Sequence, residues 1–370
     1  MASLLVAPLT QLGQLFSPAP PVSDPNYDGL EFSYKFLVFR PAELKLEAVL
    51  LSALLLYISF FWSGKNANLK KAQSWFAAHR SIYHAQFSRP EDSGLTTDGY
   101  SDFFTFSTGR RLIASLHTVF TLRPRHDLLQ YIFQFLWTNV YDLKYDPKDE
   151  ILLDFAVAHD ASVPDFVWAI VAKSELHSIK KERWDLSFTK TSENTVVPQT
   201  MSIMSEFADV TENFIKLAGP LFAALKDPKV HPYFRSLSVT DQPRQVPESV
   251  PFAREHHVLL SLVAPPPSDA PATVPLVAAV FQMIDNLQKI SLRPDTKIKI
   301  KKARDDFAKA AREEAEKEAK EEAADAKAAA KKKAEDERMA GLSAAEQTKA
   351  LERERKRLMR KNQGKTAIRK

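Results

Sequence analysis

Residues able to do acid–base chemistry are few in this chain of 370 residues, which has nine His and no Cys. The candidates are His159-Asp160, at the end of an expected strand, and Glu255-His256-His257, ahead of another. A His beside a carboxylate can move a proton when a substrate sits within hydrogen-bond reach. As isolated polar residues in loops, both groups read first as structural. His79 and His84 are five apart, whereas one helix face presents ligands three or four apart, so they make a poor metal pair. Gly109-Arg110-Arg111 could hold an anion, although a hairpin turn with flanking charges is the commoner use of such a triplet. No Gly-rich phosphate loop follows a strand, no His-Glu-x-x-His occurs, and no Ser sits in a Gly-x-Ser-x-Gly elbow. Without Cys there are no disulfides, thiolate nucleophiles or Cys-bound metals, which suits a reducing compartment. The expectation is a protein with no catalytic residue, no metal and no cofactor.

The strongest signal by charge lies at the other end. Residues 351–370 hold nine Lys or Arg and two Glu, a net of +7 against +5 for the whole chain, so residues 1–350 sum to −2. Arg353, Arg355, Lys356, Arg357, Arg360 and Lys361 are interleaved with Leu351, Leu358 and Met359, and Ser343-Ala344-Ala345-Glu346 has the spacing of a capping box that starts their helix. Such a helix fits anionic lipid or nucleic acid, and six phosphate contacts would lose roughly three orders of magnitude in affinity between 50 and 200 mM salt. It also fits a solvated helix that binds nothing.

The element that must position everything else runs from Ala48 to Trp62, fifteen residues without a formal charge, nine of them Leu, Val, Ile or Phe. On an insertion scale those nine contribute roughly −3 to −5 kcal/mol. Fifteen helical residues reach only about 22 Å against a hydrocarbon core of about 30 Å. Drawn from Leu44 to Ser63 the span is long enough, with Lys45 and Glu47 near one end and Tyr57 and Trp62 toward the other. Its apolar surface is marked by Leu44, Leu50, Leu54, Ile58 and Phe61. Residues 1–34 contain no Lys or Arg, so the positive-inside tendency keeps the long C-terminal part cytosolic. Met1 to Phe16 lacks the basic start of a signal peptide, and Thr10, Gln11, Gly13 and Gln14 interrupt its apolar run.

After the span, Gly64-Lys65-Asn66 is expected to break the helix and Leu69 to Phe87 to resume it. Strands are expected over Tyr100 to Leu122 with a turn at Ser107 to Arg110, and over Ile151 to Ala158, Trp184 to Lys190, Tyr233 to Val239 and His257 to Val263. Helices are expected from Leu128 to about Val140, capped by Asp127, over Pro164 to Arg183, from Pro198 to Leu225, and from Val274 to Ile290. From Ala303 to Ala340 the chain is Ala, Glu, Lys, Arg and Asp with favourable i,i+4 pairs but no sustained apolar seam, which argues for a solvated or weakly paired helix. Strands and helices mix without a βαβ rhythm, so the class is α+β. The division is residues 1–43, a short lumenal segment; 44–63, a single transmembrane helix; 64–294, a cytosolic mixed α/β domain; and 295–370, long charged helices ending in the basic tail.

The chain resembles the calumin-like family, the coiled-coil subunit of the PAT complex. The resemblance rests on the span followed by Gly64-Lys65-Asn66-Ala67-Asn68, then Ala72-Gln73-Ser74-Trp75-Phe76 and His79-Arg80, Thr108-Gly109-Arg110, and Pro198-Gln199-Thr200-Met201-Ser202-Ile203-Met204-Ser205-Glu206 continuing to Val210-Thr211. An apolar helix near Phe281 to Leu287 passes into the basic stretch Lys297 to Arg304 in the same order, and the similarity covers about residues 45 to 370. The resemblance implies a single-pass endoplasmic-reticulum protein that, with an Asterix-like small membrane protein, forms an intramembrane chaperone for nascent multipass membrane proteins. It implies partners in the Sec translocon, in the lipid bilayer and in the ribosome, whose RNA Arg353, Arg355, Lys356, Arg357, Arg360 and Lys361 would contact. The alternative is an endoplasmic-reticulum tether whose basic helix binds anionic lipid or RNA, with an indirect effect on calcium homeostasis. Animal members carry a long acidic lumenal segment credited with calcium binding. Residues 1–47 here hold only Asp24, Asp28, Glu31, Glu43 and Glu47, so the resemblance does not carry calcium binding over to this chain.

Overall fold

The computed structural model describes residues 29–34, 37–40, 45–91, 94–141, 148–159, 161–245 and 255–310, together with 312, 313, 317, 320, 326 and 327. The chain divides into two compact units, Met1–Val246 with Arg254–Thr296, and Pro247–Ala253 with Lys297–Lys370. In the second unit residues 297–310 are helical. The basic positions 353–361 lie outside the described residues, as does most of the Ala- and Glu-rich stretch before them.

The first unit begins with a hairpin of β1 (Phe32–Tyr34) and β2 (Leu37–Phe39). Its body is a nine-stranded sheet in the order β3-β4-β5-β6-β11-β10-β7-β9-β8. The strands are β3 (Thr96–Asp98), β4 (Asp102–Thr108), β5 (Ile113–Thr121), β6 (Glu150–Val157), β7 (Trp168–Ala172), β8 (Lys190–Ser192), β9 (Met201–Ser205), β10 (Phe234–Thr240) and β11 (His257–Val263). Every pairing is antiparallel. β6 shows why one face carries the core: Ile151, Leu153, Phe155 and Val157 are buried while the residues between them are half-buried, the period of two that a one-sided strand requires.

The helices are α1 (Lys45–Gln86), α2 (Leu128–Leu136), α3 (Leu176–Glu182), α4 (Ala208–Leu217), α5 (Gly219–Leu225) and α6 (Val274–Asn286). The second half of α1 and α6 cover β5 and β6. Trp75 meets Phe120 edge-on at 5.4 Å, and Phe281 meets Phe155 at 5.3 Å and Phe87 at 5.7 Å. On α4, Phe214 stacks on Trp168 of β7 at 3.9 Å. The opposite face of β7 is also covered, because Val167, Ala169 and Val171 pack with Ile179 and Leu176 of α3, with Leu186 and with Met204.

That double cover explains two departures from expectation. Pro164 to Arg183 was expected to be helical, yet it enters as β7 and turns into α3 only at Leu176. Pro198 to Leu225 was expected to open as a helix, yet it begins with β9, all five residues of which are buried. β7 is a continuous apolar run, which reads equally as helix, and in β9 Ser202 and Ser205 are buried together with Met201, Ile203 and Met204, so no period of two marks either strand. Trp184 to Lys190, expected as a strand, is a 3-10 turn over Asp185–Phe188, and β8 starts only at Lys190. The expected break at Gly64 is also absent, since α1 runs unbroken for 42 residues.

Candidate membrane interface

α1 has two halves with opposite surroundings. From Gly64 onward its buried residues are Gly64, Asn68, Ala72, Trp75, Phe76, His79 and Tyr83, the three-and-four spacing of a core-facing stripe. From Ala48 to Trp62 the helix carries no formal charge, and its most apolar window of 18 residues is entirely unburied. Leu50, Leu54 and Ile58 are exposed; Leu44 lies outside the described residues. Phe61 is half-buried, edge-on to Tyr100 at 5.2 Å and to His126 at 6.0 Å, so the end of the span touches the sheet domain. Residues 45–63 at 1.5 Å each give about 28 Å of helix outside the core, with Lys45 and Glu47 at its start and an uncharged rod from Ala48 on. Among the described residues one other helical stretch, Ala270–Lys289, has the length and composition to cross a membrane. Its Leu276, Val277, Val280, Phe281 and Ile284 are buried in the core, which accounts for its apolarity.

The junction between the halves is held by backbone contact and charge. A Cβ on Gly64 would sit 2.0 Å from the Arg125 carbonyl oxygen, so glycine here allows two backbones to touch. One turn later Asn68 Nδ2 donates to the carbonyls of Arg123 (2.9 Å) and Tyr100 (3.1 Å), and its Oδ1 accepts from Arg125 Nη1 (2.9 Å). Another turn on, Lys71 Nζ donates to Asp149 Oδ2 at 2.5 Å. Asp149 is almost fully buried and also accepts from both Arg125 terminal nitrogens (2.8 and 2.7 Å) and from the Arg123 N–H (2.9 Å). Burial alone raises the Asp149 carboxyl; the Arg125 bonds, the Arg123 N–H and the Lys71 ammonium outweigh it and hold the acid well below the usual carboxylate range. A carboxylate so satisfied is a clamp, not a proton carrier. Lys65, 4.7 Å from the Tyr100 ring centre, completes the collar.

Immediately after this collar Asp127 caps α2, accepting from the N–H groups of Leu129 and Gln130 at 3.0 Å each. α2 is apolar, as expected, but none of its residues is buried. It continues as a wider π-helical turn, Trp137–Tyr141.

The remaining candidates are scattered. His79 is buried, stacked on Trp75 at 3.8 Å, with Nδ1 2.8 Å from the Trp75 carbonyl. Trp75 Nε1 donates to Thr273 Oγ1 (3.0 Å), and that hydroxyl lies 3.1 Å from His79 Nε2. Burial lowers the His79 imidazole to about 4, so it stays neutral with Nδ1 as donor and Nε2 as acceptor. His84 is exposed and lies 3.3 Å from Glu91, apart from His79. His257 Nδ1 is 2.7 Å from Asp154 and Nε2 is 3.5 Å from Glu255, which raise its imidazole above the usual value, while His256 faces Asp165 at 3.1 Å. His159 is exposed at a turn, and Asp160 lies outside the described residues. Gly109 has φ of +95° and lies against Ser88. Arg110 is spent on Asp285 (2.6 and 2.7 Å), on Gln86 and on the Phe281 ring, tying the β4–β5 hairpin to α6 and α1. Among the described residues no group of three or more His, Asp or Glu could hold a metal ion. One concavity, about 690 Å³, lies between Asp227, Lys229, Tyr233 and Asp269 amid prolines, and there Tyr233 donates to Asp269 at 2.7 Å.

Residues 43–361 match the family model described as PAT complex subunit CCDC47. The chain belongs to this family. It is 29% identical over 343 residues to a UPF0674 endoplasmic reticulum membrane protein of Schizosaccharomyces pombe, covering 86% of each chain. Among animal relatives named PAT complex subunit CCDC47, it is 24% identical to that of Homo sapiens and 23% to that of Xenopus laevis, each over 287 residues. These matches take in 70% of this chain and 56% of the relatives, so the chain spans little more than half the length of the animal proteins it matches. The CCDC47 match includes the exposed rod, the Asn68–Asp149 collar and α2.

Proposed function

We propose that this chain is a non-enzymatic biogenesis factor of the endoplasmic-reticulum membrane, a PAT complex subunit that shields incompletely packed transmembrane segments of multipass proteins. Leu44 to Ser63 spans the bilayer once with the N-terminus lumenal, and the sheet domain stays cytosolic beside the translocon. An Asterix-like protein contacts the span, and Arg353, Arg355, Lys356, Arg357, Arg360 and Lys361 reach ribosomal RNA. Polar groups of a half-assembled span lack partners in lipid at several kcal/mol each, so a temporary protein surface at that depth has work to do.

The observation that carries the reading is α1 itself. One unbroken helix is an exposed apolar rod for its first half and a core element of the sheet domain for its second, so anchor and domain are a rigid continuation of each other. The family membership supports the complex, and the fission-yeast relative's name supports the compartment.

The test is co-sedimentation with translating ribosomes from detergent-solubilised microsomes across a salt series, comparing the full chain with one cut after Gly341. The full chain pellets at low salt, is released as salt rises, and the cut chain stays in the supernatant. If both stay in the supernatant while the small partner remains bound, the ribosome role fails and a lipid-binding tether takes its place.

A further inference from the structure

We propose that Leu128–Tyr141, α2 with its π-helical turn, lies in the headgroup region of the leaflet from which α1 emerges, giving the domain a second contact with lipid. This rests on the reading of α1 as a membrane span.

These fourteen residues carry no formal charge. At 1.5 Å each they reach about 21 Å, too short to cross a hydrocarbon core of about 30 Å. An apolar stretch of that length belongs to a core or to a membrane interface. The core is ruled out by exposure: Leu129 is 74%, Phe133 60%, Phe135 64% and Val140 80% exposed. Of its polar residues Gln130 and Asn139 are exposed, while two face the other way. Gln134 and Thr138, one turn apart, are less exposed than their neighbours, and Gln134 Oε1 is buried. A helix on a water-facing surface has the opposite arrangement.

Position selects lipid as the occupant. The Tyr131 ring is 6.4 Å from Phe60, and His126, just before the cap, is 6.0 Å from Phe61. The first turn of α2 thus stands level with the last apolar turn of the rod, where a bilayer spanned by α1 has its headgroups. Tyr131 and Trp137 are residue types of that depth. The backbone is provided for as well: Asp127 fills the N-terminal donors, Thr138 Oγ1 donates to the Gln134 carbonyl (2.8 Å) and Asn139 Nδ2 to the Phe135 carbonyl (2.7 Å). These bonds occupy carbonyls at the widened end, where little water is available to do so.

The chain has no Cys, so single substitutions place one fluorophore at a time. Leu129→Cys, Phe133→Cys and Val140→Cys are compared with Leu54→Cys in the rod and Phe106→Cys on the exposed sheet, each in the full chain reconstituted into phosphatidylcholine vesicles with brominated acyl chains. Emission at 129, 133 and 140 is expected to be lost to lipids brominated near the headgroup, emission at 54 to deeply brominated lipids, and emission at 106 to neither. Unquenched emission at 129, 133 and 140 overturns the proposal. If those positions then also resist an impermeant maleimide in microsomes, a protein partner covers the helix instead. Position 54 reports separately: its failure to be quenched removes the span, and quenching at 129 and 133 would then leave the lipid contact standing alone.

Discussion

Two histidines of one domain respond to acid with opposite signs. His79 has a folded value near 4 against 6.5 for a free imidazole, so below about pH 6.5 the unfolded chain binds the extra proton and folding loses stability until about pH 4. Between pH 7 and pH 5 the loss is about 2 kcal/mol. His257, raised by Asp154 and Glu255, contributes stability that is fully present below 6.5 and lost as pH rises through its folded value. The net response of the native chain is therefore a difference of the two. In detergent, the His79→Gln variant should lose less unfolding midpoint than the native chain between pH 7 and pH 5; equal losses would show that His79 does not carry the titration. The sequence shows His79 and Trp75 one turn apart, which puts them on one helix face, and the fold stacks their rings. Thr273, which fixes the tautomer, arrives from 194 residues away and could not be read from spacing.

At the scale of elements, Gly64 marks what sequence reasoning misjudged. Glycine inside a helix costs about 1 kcal/mol relative to alanine, so it is read as a break. The helix continues because the missing side chain is where the Arg125 carbonyl lies. Gly64→Ala should therefore destabilise the domain by about 1–3 kcal/mol in chemical unfolding, despite the better helix former. A stabilised variant would mean that the rod and the Arg125 loop do not touch. α2 shows the reverse case: its boundaries and its Asp127 cap were legible from residue order, but which way its apolar face points was not. An amphipathic pattern says that two faces differ, and only packing says which one meets the protein. β7 and β9 escaped because a strand covered on both faces loses the alternation that identifies it.

For the whole molecule, the proposed orientation is open to direct mapping. The native sequence contains no Asn-x-Ser or Asn-x-Thr acceptor. An acceptor introduced near residue 25 should gain a glycan in microsomes, whereas one introduced at the exposed Glu193 beside β8 should not. The reverse pattern would invert the topology. The sequence by itself determined the apolar rod, the α+β class, the basic tail and the family, because these are properties of composition and order along the chain. Tertiary structure alone decided that the rod and the first core helix are one helix, that Asn68, Lys71, Arg125 and Asp149 form one clamp, and that α2 turns its apolar face outward. The physical reason is distance along the chain: Lys71 and Asp149 are 78 residues apart, Asn68 and Arg125 57, and no local pattern encodes a contact whose partners arrive on different elements.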